Sequence, residues 1–169
     1  MTSWSLRVWS RFLCPPADVW ALKTDPEALR HEFAPFLAFR MSDADRTQMI
    51  NCLSDRRGPA EVEAMLLPMG VRWPMMLQLI TPGAHYRDSS KNRIYTDWVH
   101  DHVLSPASDG CLYLDEVRFR TPSYGGAALA SLTQRLLKHR HRVAAQWLPC
   151  EDGTVGISVL RLDSPPRVG

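Results

Sequence analysis

The sequence predicts an α+β fold in which a run of antiparallel strands precedes one long C-terminal helix. Three patterns support this class. Short stretches of alternating apolar and polar residues are separated by turn-forming residues, as is typical of antiparallel strands. Two short helical patterns follow the first of these stretches. A single long helical repeat then runs from Gly125 to about Leu148, with apolar residues at three- and four-residue steps.

Length and composition are those of one globular domain. The chain has 169 residues, of which 45% are hydrophobic and 22% charged, and its net charge is only +2. So small a charge gives no support to binding of nucleic acid or of an anionic membrane. We expect one domain over residues 1–149 and a C-terminal tail over residues 150–169, and the sequence does not indicate an oligomeric state.

The cysteines and the apolar segments indicate the cellular location to expect. The four cysteines are widely scattered and show no zinc-like spacing. No stretch is apolar for long enough to cross a membrane, and arginines interrupt the apolar run at the N-terminus, unlike a secretory signal. We therefore expect a reduced, cytoplasmic protein without membrane insertion, and no cofactor is predicted.

The N-terminal third is predicted to hold one strand and two short helices. Trp4–Leu13 alternates apolar and polar side chains, which predicts a strand with one buried face. Thr24-Asp25-Pro26-Glu27 is typical of a helix start, with Thr24 or Asp25 as the N-cap. The two helices are predicted over Ala17–Lys23 and residues 26–32.

The middle of the chain is predicted to consist mainly of strands, at Ala34–Met41, Ala60–Leu67 and Val71–Thr81. Residues 42–59 fit two alternatives, either a helix from Asp43 to Leu53 or a strand at Met49–Leu53. His85–Arg93 is a polar segment that leads into the next hairpin.

Residues 95–120 are the most informative stretch, because two alternating runs flank a polar loop at Ser105–Gly110. This pattern predicts an antiparallel hairpin. Strand side chains alternate between faces, so every second residue shares a side. One face is predicted to carry Trp98, His100, His102 and Leu104 from the first strand and Cys111, Tyr113, Asp115, Val117 and Phe119 from the second.

The register of this hairpin decides which polar groups meet. With Leu104 opposite Cys111, the predicted pairs are His102 with Tyr113, His100 with Asp115, and Trp98 with Val117. A register one residue different would instead turn Asp97, Asp101 and Glu116 inward and remove this polar group.

The C-terminal helix is predicted to bury an apolar stripe of Leu129, Leu132, Leu136, Val143 and Trp147. The basic run Lys138–Arg142 lacks interleaved aromatic residues, so Lys138, His139, His141 and Arg142 are interpreted as a solvated helix face. Arg140 lies on the stripe and needs a partner, either Asp115 or another inward carboxylate, or the carboxylate of a ligand. Gly156–Leu162 is a possible edge strand, although Pro165 and Pro166 favour loose packing.

Three stretches carry a resemblance to a known superfamily. The opening of that superfamily, "PPxxVW…TDPE", is similar to Pro15-Pro16 with Val19-Trp20 and Thr24–Glu27. A W-x-H-x-H strand of one bacterial branch is similar to Trp98-x-His100-x-His102. Asp115–Pro122, followed by Leu137-x-x-Arg140, is similar to that branch's "DEVxYxxP…FxxR" ending. With the order of elements, these residues resemble the START/Bet v 1-like (SRPBCC) superfamily, whose fold is the helix-grip fold. Residues 42–59 and 150–169 depart from it.

The resemblance implies a curved sheet wrapped around the long helix, with an apolar cavity between them. Members of the superfamily include lipid and hormone carriers, polyketide cyclases and domains of unknown ligand. We therefore expect this protein to bind a small hydrophobic or aromatic molecule. The predicted ligand-contacting residues are Met65, Trp73, Met75, Leu77, Trp98, His100, His102, Tyr113, Asp115, Val117, Phe119, Tyr124, Leu129, Leu132, Leu136 and Arg140. Ordinary core packing is the alternative interpretation of the apolar members.

His100, His102 and Asp115 are the candidate catalytic residues. Imidazole titrates near neutral pH, and a facing carboxylate orients a histidine and raises its pKa. They support the alternative of a cyclase- or dehydratase-like enzyme, while a structural hydrogen-bonded cluster is the simpler interpretation. A metal ion on the two histidines with Asp115 is not favoured, so no metal site is predicted. A third alternative is a protein-interaction module that docks through residues 42–59 or the tail.

Overall fold

The structure, a computed structural model, describes residues 1–55, 59–122, 124–151 and 156–162. Within these ranges the chain forms four helices and one antiparallel sheet of eight strands in the order β2-β3-β4-β5-β6-β7-β1-β8. The strands are β1 (Thr2–Phe12), β2 (Ala38–Met41), β3 (Ala60–Leu67), β4 (Val71–Thr81), β5 (His85–Ser90), β6 (Asp97–Ala107), β7 (Gly110–Thr121) and β8 (Gly156–Leu162). The helices are α1 (Pro16–Thr24), α2 (Pro26–Phe33), α3 (Asp43–Asp55) and α4 (Gly126–Trp147).

The helix starts after β1 follow from local chemistry. Asp25 caps α2, since its Oδ1 accepts a hydrogen bond from the backbone N–H of Glu27 at 2.8 Å. Prolines occupy the first turn of both α1 and α2, where no backbone N–H is needed. The prediction of two short helices behind the first strand is confirmed, with Asp25 as the cap.

Most of the predicted strands are confirmed, and two segments differ. β3 and β4 have the predicted bounds, but β2 begins only at Ala38. Residues 43–55 form α3, so the alternative of a strand at Met49–Leu53 is wrong. His85–Ser90 forms a strand, β5, where the sequence was interpreted as a polar connection.

The β6–β7 hairpin has the predicted faces but a different register. His102 pairs with Asp115, His100 with Val117 and Leu104 with Tyr113, two residues away from the predicted pairs. The strands continue to Ala107 and Gly110, which leaves a two-residue turn where a six-residue loop was expected. A shift of two residues preserves the side to which each side chain points.

Helix α4 packs against β1, β7 and α2 through a stripe that differs from the predicted one except at Arg140. Its buried residues are Gly126, Ala130, Thr133, Leu137, Arg140, His141 and Ala144. Leu132 and Trp147, expected to be buried, are about half exposed, whereas His141, expected in solvent, is fully buried. The prediction was wrong because the buried side carries Arg140 and His141, which pair with Glu32 of α2 and Asp115 of β7 inside the protein.

The described parts of the two segments proposed for docking, residues 42–59 and the tail, are integrated into the fold. α3 buries Met49, Cys52 and Leu53 in the core. β8, the possible edge strand, pairs with β1 from Gly156 to Leu162; the proline-containing end of the tail, residues 163–169, lies outside the described residues. None of the helices described here is long and apolar enough to span a membrane.

Candidate functional site

A cavity of about 750 Å³ lies between the sheet, α2 and α4. Its apolar wall comes mainly from α2 and from the inward faces of β2, β3 and β4. That wall includes Phe33, Phe39, Leu66, Trp73, Met75 and Leu77. Exposed side chains, among them Phe36 and Leu132, line its outer end, so the cavity opens to the surface. Such a volume suits a small organic molecule.

Ten of the predicted ligand-contacting residues lie on this cavity. They are Trp73, Met75, Leu77, Trp98, His100, His102, Leu129, Leu132, Leu136 and Arg140. The leucines of α4 that were predicted as its buried stripe instead form part of the cavity lining. Tyr86 also lines the cavity and stacks on His102, with ring centroids 4.0 Å apart.

The other six predicted residues lie elsewhere. Met65 is on the opposite face of β3 from Ala64 and Leu66, which are buried. Tyr124 is 98% exposed and does not line the cavity. The remaining four point inward but are enclosed by neighbouring side chains behind the cavity wall: Tyr113, Asp115, Val117 and Phe119.

Asp115 is the centre of a buried polar network behind the cavity wall. Its Oδ1 lies 3.0 Å from His100 Nε2, and its Oδ2 lies 3.2 Å from His141 Nε2. The Tyr113 hydroxyl donates to Oδ1 at 2.6 Å. His102 Nδ1 lies 2.9 Å from the same oxygen. Three histidines and a tyrosine therefore converge on one carboxylate, which joins α4 to the β6–β7 hairpin.

Asp88, on β5, is a second carboxylate that faces the same histidines from the cavity side. Its Oδ2 lies 3.1 Å from His102 Nε2 and 3.4 Å from His100 Nδ1. Trp98 Nε1 donates to its Oδ1 at 3.2 Å. Asp88, His100 and His102 all line the cavity. The two histidines are thus held between Asp115 behind the cavity wall and Asp88 at the cavity surface.

The charges in this network move the pKa values of its members apart. Burial alone would raise the pKa of Asp115, but His100 and Arg140 outweigh it and hold that pKa well below its usual range. Burial and the neighbouring His102 lower the pKa of His100. Burial also disfavours the charged form of His102, yet Asp115 and Asp88 raise its pKa overall. Neighbouring groups with pKa values pushed in opposite directions suit acid–base chemistry.

A second buried ion-pair group borders the cavity. Glu32 Oε1 lies 2.5 Å from Lys23 Nζ, and its Oε2 lies 3.0 Å from Arg140 Nε. All three side chains are buried. Glu32 is therefore the partner that Arg140 was predicted to need. Arg140 Nη2 is also buried, and it has no hydrogen-bond partner among the described residues.

Sequence reasoning missed Asp88, Glu32, Lys23 and His141. The signal for Asp88 in the sequence is weak, because Tyr86 alone in His85–Ser90 is a typical core residue; the structure shows Asp88 and Ser90 buried on the same face of β5 as Tyr86. His141 lies four residues after Leu137 on the same side of α4, which placed it beside the buried stripe once that stripe was known. Nothing in the sequence links Glu32 to Arg140, because the pair depends on how α2 packs against α4.

The fold and its cavity define a class of protein, an α+β domain with one antiparallel sheet, a long C-terminal helix and an internal pocket. Residues 10–148 match the family described as Domain of unknown function (DUF8410). The chain belongs to that family. No functionally curated protein matches the sequence.

Several solved structures share the fold. Protein CV1439 from Chromobacterium violaceum has a TM-score of 0.59 at 15% identity, covering 85% of this chain and 96% of that chain. A protein from Rhodobacter sphaeroides has a TM-score of 0.60 at 17% identity, covering 85% and 90%. TTHA0849 from Thermus thermophilus has a TM-score of 0.57 at 18% identity, covering 84% and 98%. At these identities the likeness concerns the fold alone.

Proposed function

We propose that this protein binds a small hydrophobic or aromatic molecule in the cavity between its sheet and α4. The observation that carries the proposal is the cavity itself, whose volume of about 750 Å³ and mainly apolar wall fit a small-molecule site. The element order and the W-x-H-x-H strand support a helix-grip, SRPBCC-type assignment within the same proposal. The scattered cysteines without zinc-like spacing support its second part, a reduced, cytoplasmic location.

The charges around the cavity favour a ligand with an acidic group. Arg135, Lys138 and Arg142 lie on its lining, and among the described lining residues only Asp88 carries a carboxylate. Arg140 adds the buried Nη2 without a protein partner among the described residues. A carboxylate or phenolate on an apolar body would satisfy this donor, since guanidinium groups bind carboxylates strongly. Aromatic acids and fatty acids are therefore the first ligands to test.

The test is native mass spectrometry of gently purified protein, followed by a thermal-shift screen of fatty acids, aromatic polyketides and sterols. Met75→Trp places an indole in the cavity wall, whereas Met76→Trp is its matched control, because Met76 is on the other face of β4 and 37% exposed. We expect ligand-induced stabilisation to be lost in Met75→Trp and kept in Met76→Trp. Equal stabilisation of both variants, or none of the wild type by any compound, would contradict the proposal.

A second candidate is a cyclase- or dehydratase-like enzyme, favoured by one observation. His100 lines the cavity while its Nε2 lies 3.0 Å from Asp115 Oδ1, the arrangement of a histidine base with an orienting carboxylate. If the bound compound is converted, mass spectrometry of the incubated mixture detects a new product. We expect His100→Ala to bind the compound but to form no product, and product formation by this variant would exclude the role.

A further inference from the structure

We propose that Asp88, His100 and His102 bind one divalent first-row transition-metal ion, such as Zn²⁺, on the wall of the cavity. The proposal is independent of which organic molecule enters the cavity. It also differs from the metal site weighed from the sequence, because the carboxylate ligand is Asp88 of β5 rather than Asp115 of β7.

The three ligand atoms already have the spacing that such an ion requires. Asp88 pairs with His100 in the β5–β6 register, and His102 is the next residue on the same face of β6. Asp88, His100 and His102 each offer one ligand atom, and these three atoms lie within 4.8 Å of one another. Asp88 Oδ2 is 3.4 Å from His100 Nδ1 and 3.1 Å from His102 Nε2. Metal–ligand bonds of about 2.0–2.2 Å in tetrahedral geometry place neighbouring ligand atoms about 3.4 Å apart.

Each ligand is also held from behind by a partner on its other polar atom. His100 Nε2 faces Asp115 Oδ1 at 3.0 Å, and His102 Nδ1 faces the Tyr113 hydroxyl oxygen at 2.8 Å. Protons on these two nitrogens leave the lone pairs of the other two directed at the proposed ion. Trp98 Nε1 fixes the second oxygen of Asp88. Histidine ligands of metals almost always have such supporting hydrogen bonds.

The site leaves a coordination position open. Three protein ligands of a four-coordinate ion leave one position for water or a ligand atom, and here all three ligands line the cavity. A metal-free alternative uses the same atoms, with Asp88 accepting hydrogen bonds from both imidazoles. Metal binding requires the proton of each imidazole on the nitrogen away from Asp88. A proton in the hydrogen bonds to Asp88 therefore moves to that nitrogen or, from an imidazolium, is released to solvent, and the side chains need little change in position.

A neighbouring histidine–carboxylate pair provides the matched control. Asp101 of β6 lies 2.9 Å from His85 Nε2, but it is on the other face of the strand and is also bound by Arg87 and Arg118. It has one histidine and two cations around it, which disfavours a metal ion. Asp101→Asn therefore removes a similar carboxylate without touching the proposed site.

The experiment titrates Zn²⁺ into chelator-treated protein without an affinity tag, by isothermal titration calorimetry. We expect one ion per chain, a loss of affinity of more than about 100-fold in Asp88→Asn, and unchanged affinity in Asp101→Asn. Asp115→Asn keeps all three ligands but removes the carboxylate charge that faces His100 Nε2 and His102 Nδ1, so its affinity should fall by about 10- to 100-fold. Near-ultraviolet circular dichroism checks that each variant is folded.

Binding of Co²⁺ to the wild type tests the proposed metal site even if a variant does not fold. Co²⁺ in a four-coordinate site with nitrogen and oxygen ligands gives intense visible absorption, which Zn²⁺ should abolish by displacement. The proposal is overturned if the wild type binds no stoichiometric Zn²⁺, if Co²⁺ shows only the weak absorption of the hydrated ion, or if folded Asp88→Asn binds Zn²⁺ as tightly as the wild type.

Discussion

Asp115 of β7 is in register with His102 of β6, and its Oδ1 lies 2.9 Å from His102 Nδ1. The same carboxylate is the hydrogen-bond partner of His100 and of His141, so three histidines from two elements depend on it. It is fully buried. Of the charges in this network, the negative charge of Asp115 is therefore the hardest for the surrounding residues to replace.

Asp115→Asn should destabilise the fold strongly. Removing one member of a buried charged group costs about 3–5 kcal/mol, because the remaining members stay buried without compensation. Urea denaturation monitored by tryptophan fluorescence measures the change. Glu116→Gln is the control on the neighbouring residue, where a partly exposed pair with Arg7 predicts a cost of less than about 1 kcal/mol. Similar losses in the two variants would show that Asp115 does not have this role.

Glu32→Gln should lower the free energy of unfolding by a similar amount, for a different reason. It leaves Lys23 and Arg140 as two buried cations that share no carboxylate, so we expect a loss of about 3–5 kcal/mol. Glu27→Gln on the first turn of the same helix is the control, since its pair with Arg30 is exposed. The prediction fails if the unfolding midpoints of the two variants coincide.

Cys111 should make a measurable contribution to the loss of stability in alkali. Burial raises the pKa of its thiol to about 11, above the ordinary value of 9.0. A thiol whose pKa is raised by folding stabilises the native state fully below pH 9, and that contribution is lost as the pH rises towards 11. Cys111→Ala lacks the group, so the wild type should lose more stability than the variant between about pH 8.5 and about pH 11. Parallel stability curves over this interval would be the contrary result.

Leu132→Gln should weaken ligand binding without unfolding the protein. Leu132 is 50% exposed and lines the cavity, so its side chain contributes more to the pocket than to the core. Loss of part of its apolar contact predicts a fall in affinity of about tenfold for any ligand found in the screen. Leu112→Gln is the control, because Leu112 is 38% exposed on the outer face of β7. Calorimetric titration of both variants with the same compound makes the comparison.

The fold class and most strand positions could be predicted from the sequence, because alternation and turn residues are local signals. The hairpin faces were predicted for the same reason, whereas its register was not. Ser105 and Pro106 look like loop residues but continue β6, so the turn was assigned too many residues. The polarity of these residues alone did not allow us to predict that the hairpin extends beyond the core.

The buried polar groups were harder to predict, because their burial depends on partners distant in sequence. His141 and Lys23 are of residue types that are usually at least partly exposed. Arg140 was placed on the buried stripe of the helix, but its partner Glu32 was not predicted. Each of the three is buried since Glu32, Asp115 or Ser10 compensates it from another element. The cavity-lining residues of β4 and β6 were predicted correctly, because side chains alternate regularly along these strands. The buried face of α4 was predicted wrongly, because the buried ion pairs and hydrogen bonds, rather than the leucines, set the rotation of this helix.

Glu32 uses Arg140 Nε and leaves Nη2 without a described partner, so a guest acid can join the guanidinium without displacing the protein's own carboxylate. Lys23, Glu32 and Arg140 belong to α1, α2 and α4. A bound acid would therefore complete a chain of alternating charges that links three helices. If the proposed ligand is such an acid, its binding should slow the proteolysis of the protein.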